Sequence, residues 1–105
     1  MKTNPLIITS YYGRTLVVTN AVNDKNSRNS ERNLERWEKE SEEKVTHCSV
    51  EFCPNKEHFN GSHVSVLLGK KERLFILPLC DVHNDMRGQK LSIDYYNTYL
   101  MGPVK

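Results

Sequence analysis

Cys48, Cys53, Cys80 and His83 are the residues whose types and spacing could do chemistry. All three cysteines of the 105-residue chain fall between Cys48 and Cys80, in Cys48-Ser-Val-Glu-Phe-Cys53 and Leu77-Pro78-Leu79-Cys80-Asp81-Val82-His83-Asn84. One Cys/Cys pair and one Cys/His pair, separated by a span able to form a hairpin, is how chains present four ligands to one Zn²⁺. Thiolate and imidazole both suit that ion. Cys80 and His83, three apart on a first helical turn, share a face, as joint binding requires. Two other pairings of the same residues stand beside this one. A Cys48–Cys53 disulfide would leave Cys80 free, and His58 or His63 could replace His83 as fourth ligand. An odd number of cysteines with a histidine in the fourth place fits metal better than disulfide.

The elements that must position these residues follow from β-prone runs and breakers. Leu6–Tyr12 and Thr15–Thr19 flank Gly13-Arg14 and predict an N-terminal β-hairpin within residues 1–22. Residues 23–30 contain no large apolar side chain and read as a loop. A helix is predicted over 31–44, with Ser30 as cap and Glu31 and Glu35 near its positive end. Leu34 and Trp37 form its only apolar face, and Glu35–Lys39 and Glu40–Lys44 are i,i+4 pairs. Val45-Thr46-His47 reads as a short strand leading into Cys48. Val64–Leu68 and Leu74–Leu77, joined by Gly69–Arg73, predict a second hairpin. Pro78 is expected to end it, Cys80–His83 to start a short helix, and Gly88 to stop that helix. Ser92 could cap a last helix whose Ile93, Tyr96 and Leu100 share a face. The expectation is one α+β domain, with a zinc-binding unit over residues 45–90 and a C-terminal helix and tail over 91–105.

Knuckle, hairpin and a helix carrying the second ligand pair is the order of elements in a treble-clef zinc finger. Within that group, Gly61-Ser62-His63-Val64 and Cys80-Asp81-Val82-His83-Asn84 resemble the two ends of the HNH endonuclease core, over roughly residues 45–90. The resemblance implies His63 as general base and Asn84 as partner of a second divalent ion, with Asp85 a further candidate for that ion, in phosphodiester hydrolysis. Ser62 stands where the family places an acidic residue or a second histidine. Leu74-Phe75-Ile76-Leu77 leaves no central asparagine, and Asn84 replaces the final histidine. The bland reading of His63 is a hydrogen-bonded strand histidine.

Composition bounds the partners. With 37% hydrophobic residues the chain can bury a modest core, and small domains of this size often lean on a metal. A net charge of +2 is too small to announce nucleic acid by itself. Lys70, Lys71 and Arg73 nevertheless crowd one hairpin tip, and Arg87 and Lys90 follow the ligand helix. These five are the candidate DNA or RNA contacts, and Glu72, Asp81 and Asp85 dilute them. A protein partner, met through Trp37 or the tyrosines Tyr11, Tyr12, Tyr95, Tyr96 and Tyr99, is the competing expectation. No apolar run has the length of a signal peptide or a membrane span, so a soluble cytoplasmic chain with reduced thiols is expected. There is no phosphate-cradling glycine loop and no serine-nucleophile motif.

Overall fold

The two most β-prone runs of the sequence form its longest hairpin, and the other elements are laid against it. The computed structural model describes residues 15–21, 30–68, 70–94 and 98–104. In chain order the elements are β1 (Thr15–Asn20), α1 (Ser30–Ser41), β2 (Phe59–Leu68), β3 (Lys71–Cys80), α2 (Asp81–Asn84), β4 (Lys90–Asp94) and β5 (Met101–Val104). The class is α+β, as the composition and periodicity imply. The five strands make one antiparallel sheet in the order β4-β1-β2-β3-β5. The first strand of the expected N-terminal hairpin and most of the 23–30 loop lie outside the described residues.

Strand alternation divides the side chains between two faces. Paired residues share a face, so Asn60, Ser62, Val64 and Val66 of β2 lie with Leu79, Leu77, Phe75 and Arg73 of β3. Val18 and Asn20 of β1 and Leu91 and Ile93 of β4 join the same face through their registers. The apolar members of this set, with Cys48, Cys80 and Leu100, form the main buried cluster. The sheet curls around that cluster. Ser49 N–H donates to the Pro78 carbonyl at 3.0 Å, Glu51 N–H donates to Ser92 at 2.8 Å, and Asp94 N–H donates to Ser49 at 3.1 Å. Segment 49–51 therefore joins β3 to β4, strands that the sheet order sets three places apart.

The opposite face carries α1. Asn33, Trp37 and Ser41, spaced at four residues, are its buried positions, while Leu34 is only half-buried. Trp37 packs with Ile76 and Met101 in a second cluster, and its Nε1–H donates to the Tyr99 carbonyl at 2.6 Å. Gly61 permits this approach. A Cβ there would lie 2.6 Å from the Asn33 Cβ and collide with the Leu34 backbone nitrogen.

Four expectations are corrected. Among the described residues there is no last helix: 90–94 form β4 and 101–104 form β5, while Tyr96 of the expected helix lies outside the described residues. Leu91 and Ile93 are buried between exposed neighbours, a period of two, and β4 covers the free edge of β1. The helix expected over 31–44 stops at Ser41, since Glu42 takes a left-handed φ of 63° and the Ser41 hydroxyl accepts from Glu43 N–H. Glu40–Lys44 is thus not a pair within one helix. Val45–His47 is no strand, its Val45 N–H being taken by the Glu38 carboxylate at 2.9 Å. Pro78 does not end its strand, which continues to Cys80. Its carbonyl faces Ser49 rather than β2, so its nitrogen sits on the edge, where no ladder donor is lost.

Candidate metal centre

Two turns bring the four ligands together. In the first, Cys53 N–H donates to the Val50 carbonyl at 3.1 Å and Phe52 adopts φ 64°, folding the chain back so that Cys48 and Cys53 converge. In the second, Cys80 ends β3 and serves as N-cap of α2, with ψ 167°, which places His83 one turn further on. The two turns are joined directly by the Cys80 N–H, which donates to Cys48 Sγ at 3.3 Å.

The ligand atoms of Cys48, Cys53, Cys80 and His83 all lie within 4.8 Å of one another. Cys53 Sγ is 3.9 Å from Cys80 Sγ, and His83 Nδ1 is 3.5 Å from Cys48 Sγ and 3.2 Å from Cys80 Sγ. A tetrahedron with Zn–S of ~2.3 Å and Zn–N of ~2.0 Å has S···S edges of about 3.8 Å and S···N edges of about 3.5 Å. The residues present fit that polyhedron. All three cysteines are free thiols, so the Cys48–Cys53 disulfide is not formed.

The electrostatics separate the sulfurs. Burial pushes the Cys48 thiol up to about 12, the neighbouring Cys80 and Cys53 adding to it, against weaker opposition from the backbone N–H groups of Cys80 and Val50. Burial also raises Cys80, but hydrogen bonds from the His83 backbone, the Asn55 amide, the His83 ring and Cys48 together bring it down to about 6. The Asn55 amide donates to Cys80 Sγ at 3.3 Å. Cys80 is therefore the sulfur on which negative charge rests first, and a bound cation would draw the remaining protons off.

The other expected site residues are not gathered there. His63 lies in β2 opposite Ile76, 6% exposed, on the face that carries α1. Asn84 lies across the sheet, where its Oδ1 accepts from Ser62 Oγ at 2.6 Å. Ser62 and His63 are adjacent in a regular strand, so the two residues of the HNH resemblance point to opposite faces. His58 is exposed with φ 60°, and neither it nor His63 joins the sulfur cluster, which is the one such group among the described residues. Lys70, Lys71 and Arg73 are exposed at the tip of the β2–β3 hairpin, Arg87 is exposed between α2 and β4, and Lys90 is exposed at the start of β4. Among the described residues no helix is long and apolar enough to cross a membrane.

Sequence reasoning missed the asparagines that surround the ligands. Asn20, Asn55 and Asn60 carry no spacing signal, and only the sheet register brings them close. Comparison with models of known protein families, with curated proteins and with solved structures gives no match.

Proposed function

We propose that the chain is a zinc-stabilised binding module in which Cys48, Cys53, Cys80 and His83 hold one structural Zn²⁺ in a treble-clef-like arrangement. The single observation that carries this is the approach of three sulfurs and one imidazole nitrogen to within 4.8 Å on two separate turns. All four tetrahedral positions are filled by protein, which is the mark of a structural rather than a catalytic zinc. The ion would tie segment 48–53 to the end of the β2–β3 hairpin and to α2. Binding would draw the remaining protons off the sulfurs, and the ion would offset two of the three thiolate charges so formed.

Nucleic acid is the partner this reading favours. Lys70, Lys71 and Arg73 are exposed at the hairpin tip, where contact with a phosphate backbone would cost little desolvation. A metal-dependent nuclease receives less support, because His63 and Asn84 do not share a face. The test is binding of zinc-loaded protein to labelled single- and double-stranded oligonucleotides across a salt series. Binding that weakens steeply with salt, and weakens further in a Lys70→Ala/Lys71→Ala/Arg73→Ala variant, is expected. Salt-insensitive binding, or none, would leave zinc in place and turn the partner reading towards protein.

A further inference from the structure

The turn that delivers Cys80 and His83 cannot hold its own shape. α2 has four residues and no side-chain hydrogen bond at its N-cap, and a lone helical turn is unstable in water. What fixes it is the sheet. Asn20, at the end of β1 and 3% exposed, donates from its side-chain amide to the His83 carbonyl at 2.8 Å and to the Asn84 carbonyl at 3.0 Å. Its backbone is anchored to the segment that leads from the turn into β4, since Asn20 N–H donates to the Gln89 carbonyl at 2.9 Å and Gly88 N–H donates to the Asn20 carbonyl at 2.8 Å. From β2, Ser62 Oγ donates to Asn84 Oδ1 at 2.6 Å and the Asn60 amide donates to Asp81 Oδ1 at 2.8 Å.

Asn20 sits on the inner face beside Val18 and opposite Val64, where an aliphatic side chain would be the ordinary occupant. A buried amide is tolerated there only because its hydrogen bonds are made, and both go to the ligand turn. We propose that Asn20 is a positioning residue of the metal centre, holding the His83 carbonyl so that Nδ1 stays aimed at the three sulfurs, with Ser62 bracing the same turn from β2. The proposal rests on the zinc reading above.

The test compares Asn20→Asp with Asn33→Ala. The first keeps the side chain's size but turns a carboxylate onto two carbonyl oxygens. The second removes an amide of similar burial, 4% exposed, that bonds the Gly61 carbonyl on the far face. Zinc affinity is read by chelator competition, ligand geometry by the visible absorption bands of the cobalt(II)-loaded protein, and stability by thermal unfolding in excess chelator. Loss of a partner that orients a metal ligand typically costs about 10–100-fold in affinity. Asn20→Asp is expected to show a loss in that range with shifted cobalt bands. Ser62→Ala should move both readouts in the same direction but less, and it decides the matter if Asn20→Asp does not fold. Asn33→Ala should melt earlier with affinity and bands unchanged. Wild-type affinity and bands in Asn20→Asp, or in Ser62→Ala where it must decide, would overturn the positioning role and leave the zinc reading standing. So would an equal effect from Asn33→Ala. A wild-type chain that takes up neither zinc nor cobalt would overturn both.

Discussion

At the scale of the residue, the centre is made of groups with unequal claims on a proton. Burial pushes the Cys48 thiol up to about 12, so a zinc ion bound there would have to displace its proton at physiological pH. Cys80, at about 6, gives up its proton before the ion arrives. The sign follows directly. Between about pH 6 and 8, zinc affinity should rise with pH by at least tenfold per unit, that being the cost of one competing proton. Below about pH 6 the slope should steepen as Cys80 also protonates. Chelator competition at several pH values checks both limbs. Cys48→Ser should weaken zinc by more than about 100-fold, beyond the usual cost of losing an outer-shell partner. The clustering of Cys48, Cys53, Cys80 and His83 was legible in the sequence because Cys-x4-Cys and Cys-x2-His place donors on two short turns. Asn20 was not, since a side chain 63 residues from His83 announces nothing until β1 is set against β2.

At the scale of the element, packing decides what periodicity leaves open. The β2–β3 hairpin was readable because two long apolar runs flank a charged turn. The C-terminal segment was not, because Ile93, Tyr96 and Leu100 suit a helix while Leu91 and Ile93 suit a strand. Five residues cannot separate the two periods, and the open edge of β1 decides for β4. The expected pairing of His63 with Asn84 could not be checked from the sequence, because a one-residue difference along a strand reverses direction and only the register shows the two on opposite sides of the sheet. The docking of α1 rests on one missing methyl. Gly61→Ala should force the helix away from β2 and cost about 1–3 kcal/mol, as overpacking does, measured by chemical denaturation. Unchanged stability would mean that α1 has room to move.

For the whole molecule, the Cys48/Cys53/Cys80/His83 cluster lies where three parts of the chain meet: the segment that follows α1, the end of the hairpin and the turn into β4. The same segment 49–51 ties β3 to β4, so losing the ion should loosen closure of the sheet as well as the site. Zinc bound at a hundred times its dissociation constant adds about 2.7 kcal/mol to folding stability, enough to shift the melting temperature of a chain this size by several degrees. The most direct measurement is native mass with elemental analysis, before and after a chelator, with circular dichroism followed in parallel. One zinc per chain, lost to the chelator together with much of the fold's thermal stability, is the predicted result. A chain that carries no metal and melts identically with and without zinc would contradict it.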